Sequence, residues 1–115
     1  MEKTQSNASA RGGLTPKQRI NHIVRWLKGY ARSAKIDTFV VGISGGIDSS
    51  VVSALSAQTG LNTIVVQMPI RQAKALDNRS SMQATWLLER YSNVKHISVN
   101  LTKIFDAFEK TTAPL

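Results

Sequence analysis

The feature that most constrains this chain is the stretch FVVGISGGIDSS at residues 39–50. A run of β-branched and apolar residues breaks at Gly45 and Gly46, and apolar residues then resume at helical spacing. This pattern predicts a buried strand, a tight loop and a helix. Adjacent glycines let the chain turn without a Cβ penalty and let a ligand approach the main chain. Because the first amides of a helix lack internal partners and lie at the positive end of its dipole, the loop is predicted to bind an anion, with phosphate the first candidate.

Two common phosphate-binding motifs do not fit this loop. A Walker loop needs Gly-Lys-Ser/Thr, and no lysine lies near the glycines. A dinucleotide fingerprint needs Gly-x-Gly-x-x-Gly, whereas the two glycines here are adjacent and Asp48 follows them. An ordinary turn, with Asp48 and Ser49 as helix caps, would explain the glycines. It would not explain why hydroxyl groups and a carboxylate are concentrated in one loop.

The sequence Ser-Gly-Gly-x-Asp-Ser at residues 44–49 resembles the loop of the PP-loop ATP pyrophosphatases and matches it at every defining position. That family cleaves ATP between the α and β phosphates, so the resemblance implies an adenylating enzyme. The amides and the Ser44 and Ser49 hydroxyls would hold the leaving pyrophosphate, and Asp48 would hold a Mg²⁺ ion that offsets repulsion between carboxylate and phosphate. No side chain is assigned a catalytic role. The ATP-binding residues implied in this way are Gly42, Ile43, Ser44, Gly45, Gly46, Ile47, Asp48 and Ser49.

The composition predicts one soluble intracellular domain. The 115 residues include no cysteine, which removes disulfides and thiolate metal sites and is compatible with a reducing cytoplasm. No apolar run approaches the roughly twenty residues of a membrane span. The net charge of +8 is spread along the chain. It is interpreted as a solvated surface that attracts nucleotides, with an RNA-binding surface as the less favoured alternative.

The order of the predicted elements indicates an α/β fold, a parallel twisted sheet with helices on both faces and three strands present. Residues 1–13 are polar and are expected to form a disordered tail. The resemblance implies that residues 14–115 are the N-terminal part of a single PP-loop ATP-binding domain. Thr15, Pro16 and Gln18 predict a helix that starts with a capping box. The other predicted elements are strands at 37–43, 62–68 and 94–99, helices at 49–58 and 77–91, and a last helix capped by Asn100. Gly60 is predicted to end the helix at 49–58 in the αL conformation.

Other candidate residues have two interpretations each. His22 and His96 are expected to be surface residues, since neither has a carboxylate or a second histidine at ligand spacing. The loop 68–72 is either a wall of the adenine pocket or a simple strand exit. Aromatic, methionine and leucine residues of the helix at 77–91 are interpreted as core side chains rather than cofactor contacts. They are Met82, Trp86, Leu87, Leu88 and Tyr91.

Sequence outside the loop is similar to the start of the ammonia-dependent NAD synthetases. The similar stretches are residues 26–30, 40–50, 65–69 and 97–108, so the resemblance covers roughly Leu14 to Lys110. One departure is Gln67, because many NAD synthetases carry arginine there, so the resemblance implies no nucleotide contact from this side chain. A second is that the chain ends at Leu115, whereas in the family a further magnesium carboxylate and most of the deamido-NAD site come later. The expectation is therefore an N-terminal half of such an enzyme.

The resemblance implies the ATP-dependent amidation of deamido-NAD with ammonia to NAD, through an adenylated intermediate and with release of AMP and pyrophosphate. ATP and Mg²⁺ are the implied ligands, and a cytoplasmic homodimer is the implied state of the family. The alternatives are a tRNA-modifying enzyme or GMP synthetase of the PP-loop group, or an ATP-binding fragment without turnover. A partial sheet would also leave a strand edge and apolar helix faces uncovered, so the isolated chain is expected to associate.

Overall fold

The computed structural model describes residues 13–70 and 74–112, with helices and strands in alternation. The predicted tail at 1–13 lies outside the described residues except for Gly13. No helix in the described ranges is both long and apolar enough to cross a membrane. In chain order the elements are α1 (Pro16–Ser33), β1 (Thr38–Ile43), α2 (Ile47–Gln58), β2 (Asn62–Gln67), α3 (Lys74–Arg90), β3 (Val94–Ser98) and α4 (Thr102–Thr112).

Helix α1 begins with the predicted capping box. The Gln18 amide donates to Thr15 Oγ1 at 3.1 Å, and the Thr15 amide donates to Gln18 Oε1 at 2.9 Å. Pro16 occupies the first turn, where its missing N–H costs nothing. The helix then packs against α2 through a face that includes the fully buried Ala31.

The three strands form one parallel sheet in the order β1-β2-β3. Val41 pairs with Val65, and Val65 pairs with His96, which fixes the register across the sheet. The α/β class and the three parallel strands are therefore confirmed. Parallel alignment places the carboxyl ends of all three strands at the same edge of the sheet, next to the N-terminus of α2.

One face of the sheet is covered and the other is exposed. Helix α2 packs on β1 and β2, and α3 packs on β2 and β3. Since both right-handed crossovers advance in the same direction, they place both helices on the same face. The opposite face carries Val40 and Ile97, which are 68% and 46% exposed.

Element boundaries differ from the sequence prediction by a few residues. Helix α2 begins at Ile47 rather than Ser49, because the extended backbone of Gly46 (φ −89°, ψ 170°) serves as the N-cap. Helix α3 begins at Lys74, before the predicted Asp77. The αL residue after α2 is Gly60, as predicted, with φ 82°.

The assignment of the large α3 side chains to the core is mostly wrong. Met82, Trp86 and Leu88 are 70%, 38% and 44% exposed. Among the described residues the buried stripe of α3 is made by Ser80, Ala84 and Leu87, at steps of four and three residues, and only Leu87 is large. Small side chains let the helix lie close to the sheet, so the larger ones are left on the outer surface.

The buried position of Leu87 gives a stability prediction. Leu87→Ala should lower the free energy of unfolding by about 3 kcal/mol, because the side chain is fully buried in the core cluster. Leu88→Ala, on the exposed side of the same helix, should cost less than about 1 kcal/mol. Urea unfolding of both variants measures the difference. Equal losses would show that α3 does not pack through the Leu87 face.

Candidate functional site

The loop between β1 and α2 lies at the carboxyl edge of the sheet. It leaves the sheet at the buried Ile43, and Gly45 has a positive φ of 88°, which strongly favours glycine. Gly46 then caps α2 without a side-chain hydrogen bond to the helix amides. The first-turn amides therefore receive no capping oxygen from the N-cap residue.

Serine hydroxyls hold the loop in this shape. The Ser44 amide donates to Ser49 Oγ at 3.1 Å, and the two hydroxyl oxygens are 3.2 Å apart. The Gly46 amide donates to Ser44 Oγ at 3.3 Å, and the Ser50 hydroxyl donates to the Gly46 carbonyl at 2.9 Å. These contacts order the loop, and whether Ser44 and Ser49 also bind a ligand, as predicted, stays a prediction.

Asp48 lies in the first turn of α2, where it is exposed. A carboxylate at this end of a helix is favoured by the dipole. The described residues contain no group of three or more His, Cys, Asp or Glu side chains that could hold a metal ion. A divalent cation at Asp48 would therefore need most of its other ligands from a phosphate group and water. Mg²⁺ bound to nucleotides has this kind of coordination, so the residues fit it.

The neighbouring strand end contributes an apolar wall on the exposed face of the sheet. The terminal methyl carbon of Met68 lies 3.8 Å from the position that a Cβ on Gly42 would take. Met68 is 45% exposed, and Gly42 is exposed beside it. Of the predicted loop at 68–72, residues 71 and 72 lie outside the described part of the chain.

A groove of about 490 Å³ between α2 and α3 opens next to the same loop. Sequence analysis missed it, although the α3 residues that line it follow helical spacing. Gln83 joins the two helices, since its Nε2 donates to the Ser50 carbonyl at 3.3 Å and to Ser53 Oγ at 3.2 Å. The lining residues are Gly45, Ser50, Val51, Ala54, Arg79, Met82, Gln83 and Trp86.

The Gln67 side chain is engaged in contacts with α3 and β3. Its side chain is 4% exposed and lies on the covered face, where its Nε2 donates to Asp77 Oδ1 at 2.8 Å. Its Oε1 is 3.1 Å from Nε2 of His96. His96 and His22 are both exposed, as predicted. The side-chain carbonyl and amide of Gln67 are thus both engaged in hydrogen bonds within the protein.

A parallel sheet with a Gly-Gly-x-Asp-Ser loop at the first strand-to-helix turn defines a Rossmann-like fold of the PP-loop type. The model of the NAD synthase family matches residues 19–114. The chain therefore belongs to the NAD synthase family.

Two similar proteins support membership of the NAD synthase family. The chain is 31% identical over 91 residues to the NH₃-dependent NAD⁺ synthetase of Mycoplasmopsis pulmonis, a match that covers 78% of this chain and 34% of that protein. With the corresponding protein of Mycoplasma genitalium it shares 33% identity over 94 residues, covering 80% and 36%. The chain thus spans about a third of the length of these curated relatives.

Solved structures share the fold. The NMN synthetase of Francisella tularensis has a TM-score of 0.76 and 27% identity, with 89% of this chain and 41% of that chain covered. The NH₃-dependent NAD synthetase of Campylobacter jejuni has a TM-score of 0.71 over 85% of this chain and 42% of that chain. At 24% identity, the second likeness concerns the fold alone.

The loop conformation predicts different effects for its two glycines. Gly45→Ala should cost about 1–2 kcal/mol of folding free energy, because φ is positive there. Gly46→Ala is the matched control, since its φ of −89° suits any residue and a Cβ would lie 3.4 Å from Ser44 Oγ. Thermal unfolding of both variants measures this. A larger loss for Gly46→Ala would contradict the described loop.

Proposed function

We propose that this chain forms the ATP-phosphate-binding part of an ammonia-dependent NAD synthetase. The observation that carries the proposal is the loop at residues 44–49, whose positive-φ glycine and uncapped helix start present backbone amides beside Asp48. Membership of the NAD synthase family supports this assignment. The reaction is the amidation of deamido-NAD with ammonia, driven by cleavage of ATP to AMP and pyrophosphate.

The loop would act on the pyrophosphate half of ATP. The first-turn amides of α2 can donate to phosphate oxygens, and the helix dipole favours the negative charge. Ser44 and Ser49 fix the loop before ligand arrives, since each hydroxyl is held by the other. Such preorganisation avoids reordering the donors as charge develops on the leaving group.

Asp48 would supply one carboxylate oxygen to a Mg²⁺ ion that also binds phosphate oxygens. The ion, when bound, neutralises charge on the leaving pyrophosphate. Asp48 can serve because it is exposed in the first turn of α2. Met68 and Gly42 would form one wall for the adenine ring, on the exposed face at the carboxyl ends of β2 and β1.

The reaction requires little proton transfer by the side chains of this loop. A carboxylate oxygen of deamido-NAD attacks the α-phosphorus, and the bond from that phosphorus to the bridging oxygen breaks, so pyrophosphate leaves with the electron pair. Ammonia then attacks the carbonyl carbon, AMP leaves, and the ammonium proton is released to solvent. A carboxylate nucleophile is already ionised at neutral pH. The first step therefore depends on positioning and charge neutralisation, which amides and a cation provide.

A second candidate is an ATP-binding portion without turnover of its own. The observation that favours it is the coverage of the relatives, since the match with this chain spans 34% and 36% of the two proteins described above. The deamido-NAD site and a second metal ligand would then be supplied by sequence outside these residues. A homodimer and a cytoplasmic location stay predictions from the family resemblance.

Pyrophosphate release tests the proposal. The chain, and a longer form if its gene encodes one, should be assayed with ATP and Mg²⁺ in the presence of deamido-NAD, xanthosine monophosphate or bulk tRNA, with ATP binding followed by calorimetry. Release only with deamido-NAD supports the synthetase. ATP binding without release supports the second candidate. Release with tRNA or xanthosine monophosphate would contradict both.

The metal role of Asp48 gives a separate prediction. Asp48→Asn should weaken Mg-ATP binding at least about tenfold, because the amide lacks the negative charge that a hard cation prefers. Asp37→Asn is the matched control. Asp37 directly precedes β1, at the end of the strand opposite the loop, and its carboxylate accepts a hydrogen bond from the Thr38 hydroxyl. Calorimetry with and without Mg²⁺ measures the change. Unchanged Mg-ATP affinity in Asp48→Asn would remove the metal role.

A further inference from the structure

We propose that Gln67 is a positioning residue, which fixes the segment Met68–Ile70 at the carboxyl edge of the sheet. The inference rests on the proposed function only in assigning that segment to the nucleotide site. Gln67 is the last residue of β2, and its side chain is 4% exposed. A long polar side chain is seldom buried to this extent unless its hydrogen-bonding groups are paired.

The nitrogen and the oxygen of the Gln67 side-chain amide contact different elements. Nε2 donates to Asp77 Oδ1 at 2.8 Å and also lies 3.3 Å from the Asp77 carbonyl oxygen and from Ser81 Oγ. Oε1 can only accept, so Nε2 of His96, 3.1 Å away, must be the donor. The side chain therefore joins the first turn of α3 to β3.

The main chain beside Gln67 is held as well. The Val99 amide donates to the Gln67 carbonyl at 2.8 Å, and the Leu101 amide donates to the Pro69 carbonyl at 2.9 Å. Successive strand residues point to opposite faces, so holding Gln67 inward directs Met68 outward over Gly42. Gln67 thus acts on the proposed adenine wall through Met68, without touching the ligand.

The side-chain amide of Gln67 matches its surroundings because its donor faces the two Asp77 oxygens and its acceptor faces His96. Gln67→Glu keeps the shape but replaces the donor to Asp77 with a second carboxylate, so like charges meet at the site. Adding Asp77→Asn restores complementarity, since the amide introduced there can donate to the carboxylate. Gln67→Met keeps the length and removes all the side-chain hydrogen bonds.

Asn93 offers a matched control at the other end of the sheet. Its Nδ2 donates to the carbonyls of Ala57 at 2.9 Å and Leu61 at 2.7 Å, so it also joins separate elements through an amide. Asn93→Asp makes the same change from amide to carboxylate. It should lower the melting temperature while leaving the carboxyl edge unaltered.

The test combines amide hydrogen exchange with Mg-ATP calorimetry. In Gln67→Glu and Gln67→Met, the Leu101 amide should exchange at least about tenfold faster, and Mg-ATP binding should weaken about tenfold. Gln67→Glu with Asp77→Asn should return both values to within about threefold of the unsubstituted chain. Asn93→Asp should change neither.

Three results would overturn the assignment of Gln67: unchanged Leu101 exchange in both single variants, no rescue in the double variant, or an equal acceleration in Asn93→Asp. Failure of the unsubstituted chain to bind Mg-ATP would instead contradict the proposed function. The exchange comparison would still decide the role of Gln67, because it needs no nucleotide.

Discussion

The site depends on how the chain turns from β1 into α2. Ile43, the last residue of β1, is buried in the core. Helix α2 must start within a few residues of it so that it can pack back on the covered face of the sheet. Gly45 makes that turn with a positive φ, and Gly46 caps the helix through its backbone alone. The amides at the helix start therefore receive no capping oxygen from Gly46, and the serine hydroxyls hold the loop.

Local sequence predicted this part of the structure well, because the determinants are local. The capping box of α1, the strand-loop-helix order and the αL conformation of Gly60 each follow from a few adjacent residues. Tertiary packing decides the rest. The burial of Ser80 and Ala84 in place of Met82 and Trp86 depends on the distance between α3 and the sheet, which periodicity does not encode. The groove between α2 and α3 and the inward orientation of Gln67 were missed for the same reason.

The described surface carries large apolar side chains that are exposed. Val40 and Ile97 are exposed on the open face, and Ile104 and Phe108 are 67% and 64% exposed on α4. This matches the expectation of uncovered apolar helix faces, and association of the isolated chain stays a prediction. The matched residues cover about a third of the length of the curated relatives.

The central claim is that the loop at residues 44–49 binds the phosphates of ATP. A ¹⁵N NMR titration of the chain with Mg-ATP tests it most directly. The account predicts that the amide signals of Gly45, Gly46 and Asp48 shift first, while that of Asn93, at the opposite end of the sheet, does not move. Shifts confined to the groove residues Met82 and Trp86, or no shifts at millimolar nucleotide, would contradict it.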